Sequence, residues 1–333
     1  MKSLELTGIH HVSALTAQAA RNVDFYTSTL GMRLVKKTVN QDDTSSYHLY
    51  YGDELGNPGT GLTFFDIPHL APNHPGVSSI STVSLRVSDR EALRYWENRF
   101  HELQVDHDGI LRSDAGRDSL PFRDFEGQRL QLVADDDPPG VPGGTPWEKS
   151  PVPVRWGIRG LGPVTLTVRD AEPTARVLVD VLGFREAGQI PSPIESRPDL
   201  LVFATGAGGA GAEVHVEERP DLPPERLGRG GVHHVAFRVP DQREYEEWYQ
   251  HLEAAGFRTS GLVDRYYFQS IYFREPNGIL FELATDEPGF ATDEDPDQLG
   301  QTLALPPFLE PHRESIEAKL HPLETDQKDP SSR

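Results

Sequence analysis

The sequence predicts an α+β fold made of four weak copies of one unit, each reading strand, helix, then further strands. Three observations carry that expectation. Gly8-Ile9-His10-His11-Val12 near one end of the chain returns as Gly231-Val232-His233-His234-Val235 near the other. Each run leads into a segment with helical apolar spacing that stops at a glycine, Gly31 or Gly256. Fainter versions of the same order lie between them, on either side of an Asp/Pro/Gly block at residues 135–144 that can continue neither helix nor strand.

In the first unit a strand at residues 8–15 precedes a helix at 20–30, whose Val23, Tyr26 and Leu30 share one face. Strands are expected at 33–40, 46–52 and 61–67, with turn residues at 53–59. The second unit has strands at 80–87, 120–125 and 129–133, a helix at 90–100 and a hairpin at Glu126-Gly127. The third has strands at 161–168, 200–204 and 213–216 and a helix at 172–182 capped by Gly183. In the fourth, strands are expected at 231–239, 266–274 and 279–284, with a helix at 242–255. Its Pro276-Asn277-Gly278 turn is a strong hairpin signal. The chain thus divides into two two-unit halves, 1–134 and 155–286, a linker at 135–154 and an acidic, Pro-rich tail at 287–333 with one short helix at 313–320.

Composition narrows the function. The net charge of -20 argues against nucleic acid or an anionic membrane as a partner, because neither polyanion would be attracted. No run approaches the about 18 apolar residues of a membrane span, and residues 1–6 lack a signal-peptide core, so a cytoplasmic protein is expected. With no cysteine in the chain, any metal must be held by His, Asp, Glu or water. The two His-His runs lie on β-branched, strand-like stretches, and Glu282 lies on another, Gly278-Ile279-Leu280-Phe281-Glu282-Leu283. Two histidines and one carboxylate leave open positions on a divalent ion, the donor set of non-haem Fe(II) oxygenases. For one run alone, a pair of packed or surface imidazoles is the simpler reading. The repetition favours the metal.

This organisation resembles the vicinal-oxygen-chelate superfamily of glyoxalases, bleomycin-resistance proteins and extradiol dioxygenases. The likeness rests on Gly-Ile-His-His-Val, Phe25-Tyr26 before Leu30-Gly31, Tyr47-His48-Leu49-Tyr50-Tyr51-Gly52-Asp53, and Glu275-Pro276-Asn277-Gly278-Ile279-Leu280-Phe281-Glu282. The doubled histidines and the Tyr-His-Leu-Tyr-Tyr stretch look most like the branch that cleaves hydroquinones with Fe(II). The resemblance implies βαβββ modules whose pairs curl into cups around a metal, and commonly a homo-oligomer. It makes His11, His234 and Glu282 the ligands, so the first and fourth units must face each other while the inner two form a metal-free cup. It implies Fe(II), with Mn(II) as the alternative ion, and a small aromatic substrate with dioxygen.

Strand alternation then places His10 and His233 away from the face of their neighbours. They are expected to bend toward the substrate, to donate hydrogen bonds behind the ligands, or simply to pack beneath the cup wall. Arg265 and Tyr272 match substrate-orienting positions of that branch; a loop arginine on an acidic surface is the alternative for Arg265. His48 and His215 are expected to be structural, and His69 and His74 to lie in a loop. Rival functions are catechol cleavage, a metal-dependent isomerisation, and metal-free binding of a small molecule. The isomerase would need a second Glu where the first unit has Phe65.

Overall fold

The computed structural model describes residues 4–113, 116–136, 140–192 and 197–325. Parts of three expected segments, 1–3 at the start, 137–139 in the linker and 326–333 in the tail, lie outside the described residues.

The first unit is β1 (Ile9–Thr16), α1 (Ala19–Asp24), β2 (Arg33–Asn40), β3 (Asp43–Gly52) and β4 (Gly61–Asp66). The second is β5 (Ser79–Val87), α2 (Arg90–Leu103), β6 (Ser119–Arg123) and β7 (Arg129–Ala134). The third is β8 (Leu161–Val168), α3 (Ala171–Arg176), β9 (Arg185–Ile190), β10 (Leu200–Ala204) and β11 (Glu213–Glu218). The fourth is β12 (Val232–Val239), α4 (Gln242–Ala254), the two-residue β13 (Val263–Asp264), β14 (Gln269–Arg274) and β15 (Leu280–Thr285).

Local chemistry explains the helices. Asp89, Asp170 and Asp241 cap α2, α3 and α4, each side chain accepting from a backbone N–H of the first turn. Trp96 and Trp248 on the inner faces of α2 and α4 are almost wholly buried. After α1 and α3 the chain widens into π turns, Phe25–Thr29 and Val177–Val181. The glycines that follow, Gly31 and Gly183, have φ of +68° and +72°, a conformation a side chain would strain.

The strands form two sheets that curl into cups. Eight strands run in the order β13-β14-β15-β12-β1-β4-β3-β2, and seven in the order β6-β7-β5-β8-β11-β10-β9. The first and fourth units therefore share one sheet, joined by the antiparallel pair β1–β12. The second and third share the other through β5–β8. This is the arrangement that histidines confined to the outer units required.

Two expectations need correction. Strand β14 begins at Gln269 rather than at 266, because Tyr266 has a φ of +71° and its N–H bonds the Asp264 carboxylate in a turn. Strand β9 was not expected: Arg185-Glu-Ala-Gly-Gln-Ile190 is an almost wholly exposed edge strand without apolar alternation.

The tail packs onto the first unit. Leu305 and Ile316, the latter on α5 (Arg313–Glu317), bury against Val39. Lys36 on β2, fully buried, reaches Asp293 at 2.6 Å and also pairs with Glu294.

The connection from first to second unit runs beside that from third to fourth, with single bridges Pro72–Arg229, His74–Arg226 and Val77–Pro224. Between them the Asn73 amide donates to Glu225 at 3.0 Å. Burial of Glu225, partly offset by that bond, raises its carboxyl from 4.5 to about 7. The folded state thus holds this proton more tightly than the unfolded chain, so this group's contribution to stability falls as pH rises from 4.5 to about 7. In urea titrations, Glu225→Gln is expected to remove that slope and to stabilise the protein at pH 8 by about 1–2 kcal/mol, the group being only partly shielded.

Candidate metal centre

The centre forms where β1 and β12 cross. Their register shows why both histidine pairs are doubled. Ile9 pairs with Phe237 and His11 with Ala236, which leaves His10 as an extra residue on β1. Ser13 pairs with His234 and Ala14 with Val232, which leaves His233 extra on β12. Each pair therefore sits at a β-bulge, one on each strand, where alternation is locally broken. The expectation that His10 and His233 turn away from their neighbours is overturned for this reason. The two Nδ1 atoms are 2.9 Å apart in His10–His11 and 2.8 Å apart in His233–His234.

Glu282 stands on β15, paired with Ala236 of β12 on one side and Tyr272 of β14 on the other. Its Oε2 lies 2.8 Å from His234 Nε2 and 3.2 Å from His11 Nε2, and the two Nε2 atoms are 3.4 Å apart. All three residues are buried, and they form the one metal-binding group found among the described residues. Ser270 donates its hydroxyl to Glu282 Oε1, whereas Oε2 has no properly aligned donor among the described residues despite the two nearby nitrogens.

The donor set fits a divalent ion. Metal–ligand bonds of about 2.0–2.2 Å meeting at right angles place neighbouring donors about 3 Å apart, close to all three separations. The tautomers agree. His10 Nε2 lies 3.0 Å from the Thr285 carbonyl, which only accepts, so Nε2 carries that ring's proton. Burial, then the neighbouring His11, lowers His10 to about 3, so its ring is neutral and Nδ1 must accept from His11 Nδ1–H. With its Nδ1 proton donated to His10, the His11 ring can offer the Nε2 lone pair toward Glu282. Burial would raise Glu282, but positive charge at the His11 and His234 rings, whose place a bound cation would take, would hold it well below the usual carboxylate range. Burial also lowers His234, despite the nearby Glu282 carboxylate. A buried carboxylate and imidazole lone pairs aimed at one point need a cation.

Beside the three residues lies a cavity of 390 Å³. Arg265 and Tyr272, expected near the substrate, both line it. Arg265 Nε donates to the Tyr272 hydroxyl at 3.2 Å, and its guanidinium pairs with Asp42 at 3.0 Å. Burial, foremost, and Glu282 raise the Tyr272 phenol, which keeps it protonated.

Several wall residues were not expected. Phe268 packs its ring 5.3 Å from His10 and 5.1 Å from His11. His48 stacks between Tyr50 and Phe65, both centroids at 4.0 Å. Its Nδ1 is hydrogen-bonded to the Tyr50 hydroxyl and its Nε2 to Thr63 Oγ1, so it ties β3 to β4 while also lining the cavity. The period-two spacing of His48 and Tyr50 was the available signal. His215 bonds Glu213 in the other cup at 3.2 Å, and His69 and His74 lie in the connection after β4.

Residues 8–132 and 160–283 match the model of the Glyoxalase/Bleomycin resistance protein/Dioxygenase superfamily. MhqA of Bacillus subtilis, named as a ring-cleaving dioxygenase, is 56% identical over 96% of this chain and 100% of its own length. The chlorohydroquinone/hydroquinone 1,2-dioxygenase of Sphingobium indicum is 30% identical over 91% of this chain and 92% of its own. A crystal structure from Bacillus subtilis, named as a dioxygenase, superposes with a TM-score of 0.87 at 33% identity, covering 98% of this chain and 100% of that one. Glyoxalase I from Zea mays shares the fold, with a TM-score of 0.62 at 14% identity over 84% of this chain and 92% of that one. The chain belongs to the glyoxalase, bleomycin-resistance and dioxygenase superfamily.

Proposed function

We propose that the protein is an Fe(II)-dependent ring-cleaving dioxygenase for hydroquinone-type substrates, with His11, His234 and Glu282 as the metal ligands. The observation that carries this reading is the convergence of His11 Nε2, His234 Nε2 and Glu282 Oε2 beside an aromatic-walled cavity. Two relatives named as ring-cleaving and hydroquinone dioxygenases support it. Iron(II) held there would supply the redox chemistry that couples dioxygen to the ring, with positions left open for substrate.

The chain's own residues bind and orient. The substrate ring lies among Phe65, Phe268 and Leu280, which exclude water. Because Arg265 donates to the oxygen of Tyr272, the Tyr272 O–H is directed to a substrate oxygen, and the pair stabilises negative charge there. His10 and His233 hold the ligand imidazoles from behind, fixing ring orientation and tautomer. A hydroquinone carries its second hydroxyl across the ring, and Asn40, Gln41 and Asp42 bring polar groups to the same cavity. An isomerase is disfavoured because Phe65, not a carboxylate, stands near His234, the ring centroids 6.5 Å apart.

Oxygen uptake by the anaerobically Fe(II)-loaded protein against hydroquinones and catechols tests this reading. Faster uptake with hydroquinones is expected; equal or faster uptake with catechols would move the chain to the catechol-cleaving class. Tyr272→Phe is expected to lower kcat/KM about 10–100-fold while iron content stays unchanged. A parallel loss of iron would show that Tyr272 serves the metal site instead.

A further inference from the structure

The cup of the seven-stranded sheet holds no metal-binding group among the described residues, yet it encloses space. Cavities of 610 Å³ and 180 Å³ meet there and share Leu111, Gln131, Ser192 and Leu200 in their walls. In a chain of net charge -20, five arginines against three carboxylates line the two spaces.

Most of these charges are matched. Arg117 grips Glu213 through both oxygens at 2.7 and 2.9 Å, and His215 also bonds that carboxylate. Arg123 pairs with Asp106 at 2.9 Å. Glu217 is shared between Arg197 at 3.4 Å and Arg219 at 3.6 Å, while Thr167 donates to its other oxygen. Arg112 and Arg129 make no hydrogen bond or ion pair among the described residues; Arg129, which lines the smaller cavity, has Glu217 attracting it only at longer range.

Its position makes that costly. Arg129 stands directly opposite Arg123 on the β6–β7 hairpin, and like charges facing each other across an antiparallel pair are destabilising. Burial, Arg197 and Arg123 all press on its charged form. Around it the smaller cavity is walled by Leu111, Pro121 and Leu200, while Phe122 and Leu130, on the other face of the hairpin, turn into the core. A fork of N–H donors at the edge of an apolar chamber matches a planar oxyanion joined to an apolar body.

We propose that this second cup is a binding site for a small organic carboxylate, with Arg129 holding the carboxylate and the apolar body resting on Leu111, Pro121 and Leu200. The site is separate from the metal centre, which lies in the other sheet, and it does not depend on the reaction proposed there.

Benzoate is the probe, titrated calorimetrically into the full-length protein and into His234→Ala and Arg129→Gln variants, with inorganic phosphate as a comparison. Binding is expected in the parent and in His234→Ala, with at least about tenfold weakening in Arg129→Gln. Phosphate, lacking an apolar body, is expected to bind more weakly than benzoate. Oxygen uptake by Arg129→Gln should stay at the parent rate, since the residue touches nothing in the metal cup. The proposal is overturned if benzoate does not bind below about 10 mM, if Arg129→Gln binds it unchanged, or if His234→Ala abolishes binding. Phosphate binding as tightly as benzoate would overturn the apolar part.

Discussion

His234→Ala is expected to abolish ring cleavage, lowering kcat/KM at least about 10³-fold, because one of three donors disappears and redox chemistry at the ion is lost with it. Iron retained after dialysis should fall in parallel. The loss is not confined to one bond, since His234 Nε2 lies 2.8 Å from Glu282 Oε2 and 3.4 Å from His11 Nε2. Without it, a buried carboxylate faces a single imidazole, that of His11. His10→Ala makes the informative contrast. It leaves the donor set whole but removes the partner that fixes the His11 tautomer, and a loss of about 10–100-fold in metal affinity is expected. Iron content and oxygen uptake measured across both variants separate a ligand from its support.

The largest effect on stability is expected at Lys36. Its ammonium is fully buried between Asp293 and Glu294 of the tail and sits 4.6 Å above the Tyr267 ring. Lys36→Met keeps the apolar stem but leaves two carboxylates in a water-poor site without their cation. Breaking a buried ion pair from one side costs about 3–5 kcal/mol. Chemical denaturation should show a loss of that size, and limited proteolysis should cut the tail sooner. The consequence reaches the metal cup through the chain itself: Tyr267, whose hydroxyl donates to Asp293 at 2.8 Å, precedes Phe268, which covers His10 and His11.

Much of this architecture was legible in the residues. The repeated Gly-(Ile/Val)-His-His-Val runs and Glu282 placed the ligands on the outer units, and the β1–β12 pairing follows from that. Helix positions were legible too, because Asp caps, apolar faces and terminal glycines are local signals. What escaped depends on contacts remote in sequence. The bulges at His10 and His233 are a property of register between strands more than 200 residues apart. Period-two alternation therefore missed the meeting of each pair's Nδ1 atoms, and it missed His233, which lines the metal cavity as His10 does not. Strand β9 escaped because its exposed side chains carry no burial pattern. The tail's hold on β2 was hidden because Lys36, in a run of two lysines, reads as surface until Asp293 and Glu294 fold back over it. Phe268 escaped for a related reason: its role comes from the left-handed turn at Tyr266, which re-aims the chain before β14.

The most direct test of the central claim is the stoichiometry of oxygen consumption by the anaerobically Fe(II)-loaded protein with a limiting amount of hydroquinone. The account predicts one dioxygen consumed per hydroquinone, an open-chain product and no hydrogen peroxide. Absence of uptake, or uptake that ends in benzoquinone and peroxide with the ring intact, would contradict it.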